Sequence, residues 1–209
     1  MITIAAYNHS THLSDEEATA ICRALSEQGT HHISKAWGTD HVSVQQRIRT
    51  ERDWELLFFD DSDQAGALGY HDDTEAGLPV MKVFVRTCER DGVSPSACAS
   101  HELAEALIDP WLHRSEQDAK GRFWACEIGD PVQASTYKVG EVEVQNFVYP
   151  AWFGEAPGPL DYLSVVKQPL EVPRGGYAQR WNPSTGWESL GAELGAGHTR
   201  PDRRRSRVG

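Results

Sequence analysis

The residues best equipped for chemistry sit in one short stretch, Ser100-His101-Glu102-Leu103-Ala104-Glu105. On a helix, residues four apart project from one face a turn apart, so His101 and Glu105 can close on a single metal ion. Glu102 is their immediate neighbour and suits a general base that takes a proton from water at that ion. The stretch departs from the metal-binding His-Glu-x-x-His pattern at one position, where Glu105 replaces the second histidine. The competing reading of the same residues is a solvated acidic helix face that carries one histidine.

Local signals define the helix that must carry these groups. Ser94-Pro95-Ser96 starts it, with Ser94 as cap and Pro95 at the first helical position. Asp109-Pro110 ends it after Ile108, because proline disfavours helical geometry in the residue before it. Leu103 and Leu107 then point to a core, away from His101, Glu105 and Ile108. Asp109 is a weak ligand candidate, since eight residues past His101 it would lie about 12 Å further along an unbroken helix.

The elements before this helix alternate. Ile2 to Tyr7 reads as a strand, and Ser14-Asp15-Glu16-Glu17 supplies a cap and acidic first turn for a helix in which Ala18, Ile21, Cys22 and Leu25 recur at helical spacing up to Gly29. Val42, Val44, Gln46 and Ile48 alternate, and Trp54 to Phe59 is apolar enough for a central strand. Asp60 to Asp73, rich in Asp and Gly, reads as a long loop that contains His71, and Val80 to Thr87 as the next strand. Beyond the helix, Phe123 to Asp130 brings carboxylates back into an apolar setting. Tyr137–Val139 and Val142–Phe147 form a β-hairpin about Gly140-Glu141. The segment through Trp187 combines Pro, Gly and aromatics with little periodicity, which reads as an irregular lobe packed by its rings. The resulting division is a metal-site domain at 1–149, the lobe at 150–194 and a disordered basic tail at 195–209.

With 209 residues, 39% of them apolar, and seven tryptophans, the chain can bury a substantial core. A net charge of −11 argues against nucleic-acid binding as the main activity, outside the arginines of the tail. Neither a signal peptide nor an apolar run long enough for a membrane span is visible, so a cytoplasmic or virion-associated protein is expected. Cys22, Cys88, Cys98 and Cys126 include no CxxC pair; reduced thiols are the default, with a Cys88–Cys98 or Cys98–Cys126 bridge left open.

The order strand, helix, strands, His-Glu-x-x-Glu helix and later carboxylate resembles the zincins over about residues 1 to 130. In the glutamate-dependent branch the third ligand follows the helix, and the resemblance places Glu127 in that role, with Asp130 orienting His101. The blocks Asp60 to Asp72, Ser100 to Leu103, Glu127 to Asp130, Pro150 to Phe153 and Pro173 to Tyr177 together resemble a family of uncharacterised bacterial and bacteriophage proteins of zincin-like, metallopeptidase type. Members of that family also carry Glu at the position of Glu105. A His101, Glu105, Glu127 site would place two formal negative charges on its ion, lowering its Lewis acidity and admitting manganese or calcium beside zinc.

Other polar groups have plainer readings. His71 could face the cleft and stabilise a tetrahedral intermediate, or be a satisfied loop histidine; Tyr149 and Tyr162 could share that part, or simply pack. His31-His32 follows a helix end and caps it or faces water. The Asp60 to Asp63 run suits Asx turns better than calcium, because it lacks the EF-hand pattern.

The expectation is therefore an α+β, zincin-like fold: a mixed twisted sheet with a backing helix and a metal-site helix, plus the irregular C-terminal lobe. The expected function is a zinc-dependent peptidase acting on a peptide or protein, with His101, Glu105 and Glu127 as ligands, Asp130 beside them, Glu102 as base and His71 assisting. The alternative is a non-catalytic, metal-stabilised structural or interaction protein, phage-encoded in that reading. A third reading pairs His101 with a carboxylate and needs no metal.

Overall fold

The computed structural model describes residues 1–154 and 157–191, so the tail expected at 195–209 lies outside the described residues. The described residues form a mixed α and β architecture with a five-stranded, a four-stranded and a two-stranded sheet. Strands β1 (Ile2–Asn8), β2 (Val42–Gln46) and β3 (Trp54–Phe59) are followed by β4 (Gly69–Asp73) and β5 (Pro79–Phe84). They order as β2-β1-β3-β5-β4, with β3 central. All neighbours are parallel except β4, which closes one edge antiparallel to β5.

Helix α1 (Asp15–Glu27) begins at a reciprocal cap, where the Ser14 hydroxyl accepts from Glu17 N and the Glu17 carboxylate accepts from Ser14 N. Its buried residues Ala18, Ile21, Cys22 and Leu25 form the expected stripe, packed against β2. The chain then winds through a π-helical segment, Gln28–Ile33, into the short α2 (Ser34–Trp37), which Gly38 ends in the left-handed conformation.

After β5 the chain turns into α3 (Val85–Arg90), which shortens the strand expected up to Thr87. Helix α4 (Pro95–Ile108) keeps the bounds its start and stop signals predict, and Asp109 leaves helical geometry at φ −130°. It lies against β4, β5 and the later β9 (Val142–Gln145), and every residue from Ser96 to Ile108 is buried. That overturns the solvated-face reading of His101, Glu102 and Glu105. A helix enclosed on all sides must satisfy its polar groups inside the protein, because unpaired burial is costly.

Strands β6 (Ser115–Gln117) and β7 (Phe123–Ala125) pair antiparallel, and β8 (Thr136–Val139) pairs with β9 in the expected hairpin. The stretch read as an irregular lobe ends in a second hairpin, β10 (Tyr177–Asn182) and β11 (Gly186–Gly191), whose strand β10 pairs with β7 at Arg180 and Trp124. Strand pairing thus runs across residue 150. The hairpin forms because Asn182-Pro183-Ser184-Thr185-Gly186 makes the turn, with Gly186 at φ 84° and Trp181 edge-on to Trp187. All four cysteines are buried thiols outside any disulfide, so neither of the two bridges left open forms.

Candidate metal centre

Helix α4 presents His101 and Glu105 one turn apart, and their facing atoms, His101 Nε2 and Glu105 Oε1, lie 2.9 Å apart. Asp130 opens a short 3-10 turn, Asp130–Val132, and brings its Oδ1 to 3.2 Å from the same His101 nitrogen. His101, Glu105 and Asp130 are each about 2% exposed and offer three ligand atoms within 4.8 Å of one another. The carboxylates within 3.2 Å of His101 Nε2 are thus Glu105 and Asp130, where the resemblance gives the third place to Glu127. Glu127 is only partly buried and acts on the cluster through its charge, which raises the pKa of both His71 and Glu105.

The back of His101 is held by a residue that the sequence does not single out. Its Nδ1 lies 2.8 Å from Gln145 Oε1 on β9. Gln145 Nε2 donates to the carbonyls of Gly129 and Asn146, which fixes the amide with its oxygen toward the histidine. Nδ1 must then be the donor, and in the neutral ring Nε2 carries the lone pair toward Glu105 and Asp130. Gln145 is itself held by Ser100, whose hydroxyl accepts from Gln145 N and donates to Gln28 Oε1, while Gln28 Nε2 donates to the Gln145 carbonyl. Gln28, at the start of the π-helical segment, is fully buried.

The sequence places His71 in a loop, but it lies on the edge strand β4, paired with Met81, and is 3% exposed. Pairing with β5 overrides the weak strand preference of Gly and Asp in this segment. The imidazole reaches Glu102 Oε2 at 3.6 Å and Glu105 Oε2 at 3.7 Å, and its Nε2 donates to the Asp109 carbonyl at 3.1 Å. Burial alone would lower the His71 pKa, but its contact with Glu102 and the charges of Glu127, Glu105 and Glu102 outweigh it and push the pKa up to about 9. Burial raises the Glu105 pKa, and Asp130's charge adds to the rise that His101 partly offsets. His71, Glu102 and Glu105 form a second group with ligand atoms within 4.8 Å.

Two glycines let backbone approach α4 closely. A Cβ on Gly129 would stand 2.7 Å from His101 Nδ1, and one on Gly69 would stand 2.6 Å from Cys98 Sγ and 3.0 Å from Glu102 Oε1.

The remaining candidates lie elsewhere. Asp109 Oδ1 accepts from the amides of His113 and Arg114 and serves the turn after α4. Tyr162 stacks on His32 and Tyr137, both at 4.7 Å, and Tyr149 packs against Phe147. The Asp60 to Asp63 run behaves as turn chemistry: Asp60 accepts from Ser10 and Thr11, Asp61 pairs with Arg86, and Asp63 with Tyr70 and Lys82.

No helix among the described residues is long and apolar enough to cross a membrane. Comparison with family models, curated proteins and solved structures gives no match.

Proposed function

We propose that the chain is a zincin-like, zinc-dependent peptidase whose ion is held by His101, Glu105 and Asp130. The observation that carries this reading is the fixed His101 ring, anchored at Nδ1 by Gln145 with Nε2 turned to two carboxylates. One imidazole nitrogen and two carboxylate oxygens are a donor set that suits zinc or manganese, and three protein ligands leave a position for water or substrate. The antiparallel edge strand β4 beside the His-Glu-x-x-Glu helix supports the zincin-like assignment and the resemblance to the bacterial and bacteriophage family.

A bound zinc would polarise the scissile carbonyl and bring the pKa of water down to about 7. Glu102 accepts the proton at its carboxylate and returns it to the leaving amine. His71 holds a proton between Glu102 and Glu105 in the metal-free protein and keeps positive charge beside both. Gln145 and Ser100 keep the His101 ring from rotating.

Glu102→Gln tests this reading. Folding and the ion held by His101, Glu105 and Asp130 should match wild type, while cleavage of a mixed peptide pool falls roughly a hundredfold to ten-thousandfold. Wild-type protein that takes up neither zinc nor manganese overturns it. A second reading, a non-catalytic protein stabilised by the same ion, is favoured by burial, since Glu102 is fully buried and its neighbours in the cluster nearly so. It expects metal uptake that raises the melting temperature with no cleavage by wild type.

A further inference from the structure

We propose that the cluster has a second divalent-cation position, formed by His71, Glu102 and Glu105, with Glu105 bridging the two ions. The inference rests on the metal-site reading above and extends it from one ion to two.

The first support is the state of His71. A carbonyl oxygen only accepts, so the 3.1 Å contact between His71 Nε2 and the Asp109 carbonyl puts the hydrogen on Nε2. In the neutral ring Nδ1 then carries the lone pair, and Nδ1 is the atom that faces Glu102 and Glu105. This repeats the arrangement at His101 with the two ring nitrogens exchanged. One nitrogen is anchored on an oxygen acceptor and the other is turned to carboxylates, as in metal-ligating histidines.

Spacing gives the second support. His71 Nδ1 stands 3.6 Å from Glu102 Oε2 and 3.7 Å from Glu105 Oε2, long for direct contacts between polar atoms. Two donors on one tetrahedral ion with bonds of about 2.0 Å are about 3.3 Å apart, close to what is seen. The Glu105 carboxylate also divides its oxygens, with Oε1 at His101 and Oε2 at His71. A carboxylate that turns different oxygens to two separate ligand groups has the form of a bridge.

Charge gives the third. Glu102, Glu105, Glu127 and Asp130 all act on this cluster, and Glu102, Glu105 and Asp130 are almost wholly buried. With all four ionised and His71 protonated, one divalent ion leaves a net charge of about −1 in the interior, and a second ion in place of the His71 proton leaves about zero, which lowers the cost of burial. With the second ion in place Glu102 is a ligand, so the two-ion form lacks the base that the one-ion form keeps.

The test is a manganese titration of chelator-stripped full-length protein, with bound metal counted by elemental analysis after gel filtration. Two ions per chain are expected for wild type and one for His71→Ala, with circular dichroism confirming that the variant is folded. Two ions about 3.5–4 Å apart across a shared carboxylate also give an exchange-coupled manganese spectrum, which decides the matter on wild type alone should the variant not fold. One ion in wild type overturns the inference and leaves the peptidase reading standing, whereas no bound ion overturns both. Two ions in wild type that persist in folded His71→Ala, or two uncoupled manganese signals, place the second ion elsewhere and overturn it.

Discussion

Two acidic regions of this chain use the same side chains to opposite ends. In the loop at Asp60 to Asp63 each paired carboxylate faces donors: hydroxyls of Ser10 and Thr11 at Asp60, the Arg86 guanidinium at Asp61, and Tyr70 and Lys82 at Asp63. Hydrogen bonds from Ser10 and Thr11 hold the Asp60 carboxyl well below the usual carboxylate range. On α4 and the turn at Asp130, carboxylates converge on one another and on two histidines in a buried space, and the Glu105 pKa moves upward. Asp-rich sequence is therefore a poor guide to a cation site. The informative quantity is whether the carboxylates face donors or face each other.

Removing the Gln145 amide should sharpen that contrast most. Gln145→Leu keeps the volume but frees His101 to rotate, and zinc affinity is expected to fall about 10- to 100-fold with the fold retained, read by competition with a chromophoric chelator. Unchanged affinity would mean that the ring is held by packing alone.

The pH dependence of the metal-free protein should differ in sign between the regions. His71, raised from 6.5 to about 9, contributes stability that is complete below its unfolded value and is lost as pH rises through the folded one. Glu105, raised above 4.5, adds to the same loss as it is forced to ionise. The Asp60 contribution is present above the unfolded value of 3.8 and disappears as pH falls. Thermal melts without metal should therefore decline from about pH 6.5 to 9, and saturating zinc should remove that decline, because ligand binding displaces the protons. A metal-free melting temperature that is flat or rising over this range would contradict the cluster.

The smallest effect belongs to the loop. Asp61→Asn breaks a pair with Arg86 in which both partners are more than half exposed, and calorimetry should find the melting temperature within about 1 °C of wild type, with metal content unchanged.

What the sequence discloses follows the range of the interactions. Helix α4 and its bounds are readable because Ser94, Pro95, Asp109 and Pro110 act on their own neighbourhood, and the His101 to Glu105 juxtaposition is fixed by helical spacing. The approach of Asp130 to His101 comes from the start of a 3-10 turn three residues long, below the reach of periodicity. Gln145 and Gln28 are invisible to a search for titratable groups, and their partners lie 44 and 117 residues away in sequence. Strand β4 lacks β-branched residues and owes its form to β5, so His71 reads as loop until that pairing is known. The β10–β11 hairpin is missed for a related reason. Its turn residues are visible, but the alternation beside them is short.

The π-helical segment after α1 sets the rotational phase of the chain. Each of its turns takes in one residue more than an α-turn of the i→i+4 type, so side chains after Glu27 are offset around the axis from where α1 would have put them. Gln28 stands where that winding begins and carries the bond to Ser100, and His32 further along meets Tyr137. Shortening the segment by one residue would restore an ordinary helix and swing the second contact away from its partner. The residue count of an element that supplies no ligand thus decides which side chain meets the hairpin that carries Gln145.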